Sequence, residues 1–261
     1  MQKTVLTVGG LALAILLTGA LVGYASGYRI GPNFSIVEVG AIEVRDLLAG
    51  AHVFIDDSEV GTAEANGTTM AVGRITPGAR TVIVSREGYW PWLKTVEVHE
   101  RTTTAIGAFQ VPTQSTGEII TSRDPEYRTI LSRFTTTKIP TATTPVISGT
   151  KNVAVWVEKG VIKAKWQGSI DAAPSYFCQT ECGAPITILT PTVPARSVHF
   201  YKDREDVLVV GVQDGVYALD IDTREPQNFQ PIYKGSSPLS VPVDSNSVYI
   251  RDGATLMQVV Y

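Results

Sequence analysis

From Thr4 to Tyr28 the chain carries no charged side chain, and Leu6 to Gly23 is a run of Leu, Ile, Val and Ala interrupted by Gly and Thr. Such a run has no polar face to turn toward water. As a helix, Val5 to Ala25 would extend roughly 31 Å, matching a hydrocarbon core of about 30 Å. Residues 1–28 therefore read as a transmembrane anchor, followed by a juxtamembrane linker over 29–39. A cleavable leader has a shorter apolar core, about 7 to 15 residues, and a small-residue cleavage site. Gly23 and Ala25 could supply that site, but the length of the run favours an uncleaved anchor.

From Gly40 the period changes to two. Short alternating runs follow: AIEVR (41–45), HVFID (52–56), TTMAV (68–72), ARTVIVS (79–85), KTVEVH (94–99) and IGAFQV (106–111). Pairs such as Ile42/Val44, Val82/Val84 and Val96/Val98 share one face of a strand. Turn residues separate the runs: Asp56-Asp57 with Gly61, Asn66-Gly67, Pro77-Gly78 and Glu87-Gly88. Gly67 fits a type I′ turn and Gly78 a type II turn. Residues 40–112 thus predict a small antiparallel β-sandwich.

A linker is expected over 113–150, with one short amphipathic helix at 124–134. Asp124 suits the N-cap and Pro125 the first helical position, and Tyr127, Ile130, Leu131 and Phe134 recur at helical spacing. A helix of about ten residues must dock on a neighbour to persist. Over 151–261 three segments resemble one another: 152–166, 206–222 and 247–261. Each is an apolar strand, a turn bearing Gly160, Gly215 or Gly253, and a second strand. Their spacing approaches that of propeller blades, though two and a half blades are too few for closure. The region therefore reads as a partial, β-propeller-like repeat module. Its last strand, Leu256 to Tyr261, is expected to pair with the 207–212 or 216–221 run, leaving one sheet edge open. The fold class is mainly β.

Composition narrows the function classes. With 44% hydrophobic and 18% charged residues, disorder is excluded. A net charge of −3 and the lack of any basic cluster argue against nucleic-acid binding. Lys3 on one side of the anchor and Arg29 on the other leave orientation to a slight excess of positive charge at the N-terminus. That excess, with two close cysteines, favours an extracytoplasmic soluble part.

Candidate chemistry is sparse. No nucleophile elbow, phosphate loop, dinucleotide fingerprint or His-Glu-x-x-His helix is present, so an enzyme is not expected, and no cofactor or metal is implied. Tyr89, Trp90 and Trp92 form the one aromatic cluster. It reads either as a stacking platform for a glycan or as a cap on the sandwich core. Cys178 and Cys182 read as a small disulfide loop, as free thiols or, with two further ligands, as part of a metal site. Asp220 and Asp222, at the end of a strand, read as solvated charge.

Residues 40–100 also carry a resemblance. Gly50-Ala51, Asp56, Gly61-Thr62, Pro77-Gly78 and Gly88-Tyr89 occur in the order found in PEGA domains, although Leu48-Ala49, Asp57 and Ala63 depart from the family pattern. The preceding YASGYRIG (24–31) is similar to the junction between anchor and PEGA domain in bacterial envelope proteins. The resemblance implies a β-sandwich at the cell envelope with no catalytic residues to carry over. In it Gly50, Gly61, Pro77, Gly78 and Gly88 are structural turn positions, as Gly67 is by its own Asn-Gly pattern. The function expected is that of a single-pass membrane protein making contacts with envelope proteins; the alternative is a cell-wall glycan binder using Tyr89, Trp90 and Trp92.

Overall fold

The computed structural model describes every residue except Met1, Pro32, Asn33, Asn66, Gln179, Thr180, Gln213 and Ser245, and the side chains of residues 1–10 and 12 also lie outside the description. The chain is mainly β and forms two compact units. One comprises Met1–Val82 with Thr95–Ala108, the other Ile83–Lys94 with Phe109–Tyr261.

The first unit opens with helix α1 (Gln2–Ala25), 24 residues long. Its described large side chains, Leu11, Leu13, Ile15, Leu16, Leu17, Leu21, Val22 and Tyr24, are all exposed. Thr18 donates its hydroxyl to the Ala14 carbonyl, so its polar group is satisfied within the helix. Gly27, at φ +92°, ends the helix in the left-handed region that glycine tolerates. Among the described residues, no helix is long and apolar enough to cross a membrane. The expected span, Val5 to Ala25, lies partly outside the described side chains.

The segment read as a linker forms a hairpin, β1 (Tyr28–Ile30) with β2 (Ile36–Glu38). Strands β3 (Gly40–Arg45), β4 (His52–Ile55), β5 (Ser58–Thr62), β6 (Met70–Ile75), β7 (Gly78–Ser85), β8 (Trp92–Val98) and β9 (Thr103–Gly107) follow. They make two sheets, ordered β6-β3-β9 and β5-β4-β7-β8. The β3–β9 pairing is parallel, so the sheet expected to be antiparallel throughout is mixed. Ile42, Val44, Val53, Ile55, Val82, Val96 and Val98 are buried at alternate positions, which gives each sheet one apolar face. The β4–β5 turn places Asp56 and Asp57 at positive φ. The Asp56 carboxylate accepts from the Thr81 amide at 3.0 Å and from Arg80 at 2.9 Å, tying that turn to β7. β5 was missed in the sequence because it is an exposed edge strand without apolar alternation.

The second unit contains three four-stranded antiparallel sheets. The segment expected to be a linker holds β10 (Thr116–Ile119), α2 (Tyr127–Thr136) and β11 (Val146–Ile147). Helix α2 starts three residues later than Asp124 because the Asp124 carboxylate is engaged upstream, accepting from the Thr121 amide and hydroxyl. Ile130 and Phe134 dock the helix onto Val241 and Leu256. The remaining strands are β12 (Val153–Glu158), β13 (Val161–Trp166), β14 (Ile186–Leu189), β15 (Ser197–Phe200), β16 (Val207–Val212), β17 (Gly215–Asp220), β18 (Phe229–Lys234), β19 (Leu239–Pro242), β20 (Ser247–Asp252) and β21 (Thr255–Val260).

The sheet orders are β11-β12-β13-β14, β15-β16-β17-β18 and β10-β21-β20-β19. Each of the three similar segments is the hairpin at the middle of one sheet. These sheets are open and do not make a propeller. The expected pairing of the last strand is also corrected: β21 lies between β20 and β10, not beside 207–212 or 216–221. β10 was invisible in the sequence because all four of its residues are exposed. Val153, Val155, Ile162, Phe177, Leu208, Val210 and Leu219 belong to the main apolar core of the unit.

Candidate functional site

The aromatic cluster does not form a platform. Trp92 is 2% exposed and belongs to the core, whereas Trp90 is 37% exposed. Tyr89 is half-buried, with the Arg86 guanidinium 4.5 Å over its ring. The alternation of side chains along the strand separates neighbours two apart less than neighbours one apart, but here the irregular entry to β8 turns even Trp90 and Trp92 into different environments. The turn residues divide similarly. Gly50, Gly78 and Gly88 have φ of +78°, +115° and +79°. Pro77 precedes the second of these, and its carbonyl accepts from Arg80. Gly61 lies inside β5 and is not at positive φ; the turn proposed at Asn66-Gly67 includes Asn66, which lies outside the described residues. Cys178 and Cys182 are joined by a disulfide. Among the described residues, no cluster of His, Cys, Asp and Glu could hold a metal.

The carboxylates read as solvated are buried. Asp220 and Asp222 are 3% and 7% exposed. Lys94, itself buried, places its ammonium 3.0 Å from Asp220 and donates to the carbonyls of Asp222 and Arg224. Arg224 grips the Asp222 carboxylate through Nε and Nη2. Burial is the main reason the Asp220 carboxyl is pushed up to about 6, with Lys94 and Asn228 acting in the opposite direction. Asn228 imitates a strand partner for Leu93, its side-chain oxygen accepting from the amide and its NH₂ donating to the carbonyl, both at 2.9 Å. Gln230 accepts from the Val111 amide and donates to the carbonyls of Pro91 and Phe109. These groups fasten residues 91–94 and 109–111 to β17 and β18. They position backbone.

The second unit also holds a cavity of about 370 Å³. It is lined by the C-terminal part of α2, the segment to Pro140, Val146 of β11, and residues of β15 and β19. Three cations lie around it: Arg133, Lys138 and Arg196. Arg133 donates to the Pro242 carbonyl and stacks 5.3 Å over Tyr249. Arg196 donates to the carbonyl and hydroxyl of Ser237. Among the described residues, none of the three cations has a carboxylate partner, and the lining contains no Asp or Glu.

On β15, Ser197 and His199 share a face. The Ser197 hydroxyl is 2.8 Å from that of Ser240 on β19. His199 is buried, its Nε2 has no hydrogen-bond partner among the described residues, and desolvation pushes the imidazole down to about 3. It is therefore neutral at pH 7. Sequence reasoning passed over these residues: a lone His and scattered Arg and Lys carry no spacing signal, and only the meeting of β15, β19 and α2 brings them together.

Residues 40–110 match the family model of the PEGA domain. That stretch is β3 to β9 with the first residues beyond. No curated protein is significantly similar to the chain.

Proposed function

We propose that this chain is a non-enzymatic, single-pass membrane protein whose β units lie outside the cytoplasm and make contacts with other proteins of the cell envelope. The observation that carries this reading is α1, a helix without charge from Thr4 onward that exposes its described apolar side chains. A helix of that kind is stable either inside a large core or in lipid. Its continuation supports lipid. Tyr24, Tyr28, Ile30, Phe34 and Ile36 are all exposed, Phe34 at 91%, and the Arg29 guanidinium lies 3.6 Å over the Tyr24 ring. Aromatic rings with a flanking cation are the usual furniture of a membrane–water boundary. The bonded Cys178–Cys182 pair supports an oxidising compartment for the second unit. The PEGA match over 40–110 supports the envelope. The glycan alternative loses its platform with Trp92 in the core.

Flotation with lipid vesicles tests the anchor. The full chain should float, and the chain lacking residues 1–28 should remain in the dense fraction without detergent. A truncated chain that still floats would sink the single-anchor reading.

A further inference from the structure

The geometry points to the β15–β19–α2 cavity as a binding site for a small organic oxyanion, a carboxylate or phosphate. Two observations converge there. Arg133, Lys138 and Arg196 bring positive charge to a space whose lining holds no acid. Both guanidiniums are pinned by backbone carbonyls, Arg133 to Pro242 and Arg196 to Ser237, which uses part of their donor set and leaves further N–H groups in a fixed fork.

An oxyanion answers both. Its oxygens accept from the arginine N–H groups in the short, charge-assisted geometry that favours carboxylate and phosphate. The apolar walls, Phe134, Leu239 and Val241, suit a hydrocarbon body rather than a bare inorganic ion. A volume of about 370 Å³ lies at the small end of ligand sites and limits the guest to a compact molecule. The proposal goes beyond the anchored contact protein described above and does not depend on it, since every residue involved lies in the second unit.

The experiment uses the full chain in micelles of a neutral detergent, titrated calorimetrically with inorganic phosphate and with succinate. Sodium chloride at matched ionic strength is the control. Succinate should bind saturably and raise the melting temperature, phosphate should do so more weakly, and chloride should do neither. Arg133→Gln with Arg196→Gln should weaken succinate binding at least tenfold. Lys138→Gln should weaken it too, and because this side chain is exposed it reports even if the arginine variant fails to fold. Micelles containing phosphatidylglycerol separate a lipid headgroup from a soluble anion. Competition with phosphate assigns the headgroup, unchanged binding assigns the soluble anion, and oxyanion chemistry stands in both. No saturable binding of either probe up to about 10 mM, or equal binding by the arginine variant, would overturn the site.

Discussion

His199 and Asp220 respond to acid in opposite senses, although burial perturbs both. An unfolded histidine takes up its proton near pH 6.5, whereas the folded imidazole resists until about 3. Its contribution to stability is complete above pH 6.5 and is lost as the pH falls toward 3. Asp220 holds its proton more tightly when folded, up to about 6 against an ordinary 3.8. Its contribution is complete below 3.8 and is lost as the pH rises through 6. At about 1.4 kcal/mol per unit, each amounts to a few kcal/mol, so they largely cancel in the intact protein. Compared with wild type, His199→Phe should therefore gain stability between pH 7 and 4.5, and Asp220→Asn should lose it. Denaturant midpoints at the two pH values measure this, and superimposable profiles for the three proteins would show that neither group is perturbed.

Two glycines test backbone requirements at the same scale. Gly78 sits at φ +115° with open space where a Cβ would point, so Gly78→Val should cost only the conformational strain, about 1 to 3 kcal/mol. A Cβ on Gly40 would overlap the His99 carbonyl oxygen and lie 2.7 Å from Val98. Gly40→Ala should therefore destabilise more than Gly78→Ala, by melting temperature, although a family-style reading marks position 78 and passes over 40.

Among the elements, those with an internal signal were legible. The hairpins β12–β13 and β20–β21 were visible because apolar strands flank turns with Gly160 and Gly253 at positive φ. The β5, β10 and β11 strands were not, because short exposed strands are held by backbone pairing and need no apolar alternation. Nor could any local pattern pair Lys94 with Asp220, since the cluster joins groups 128 residues apart or so, as in the bond from Lys94 to the Asp222 carbonyl. That pairing turns two carboxylates with the look of solvated charge into buried ions. Removing one partner of a buried pair leaves the other charged and desolvated. Lys94→Met should thus cost about 3–5 kcal/mol. Combining it with Asp220→Asn should restore part of that loss, because the stranded charge is gone. A double variant no more stable than Lys94→Met alone would mean that the pair is not the source of the cost.

For the whole molecule, the cluster decides where the chain can be cut. A division into 40–112 and 151–261 is the natural reading of the sequence, and the PEGA match over 40–110 agrees with its first boundary. The compact units ignore that boundary, since Ile83–Lys94 belongs with Phe109–Tyr261. Without residues 83–94, Asp220 loses its ammonium, Asn228 loses both groups of Leu93, and Gln230 loses the Pro91 carbonyl. The strand β10 poses the same problem at the other end, because it completes the sheet of β19, β20 and β21 from the segment that reads as a linker. A chain of residues 151–261 lacks both supports, and one of residues 109–261 lacks only the first. The longer fragment should fold with reduced stability, and the shorter should expose the β21 edge and aggregate. A peptide of residues 83–94 added in trans should raise the melting temperature of 109–261 saturably, and Lys94→Met in that peptide should abolish the rise. Equal stability of the two fragments, or indifference to the peptide, would return the boundary to where the sequence pattern puts it.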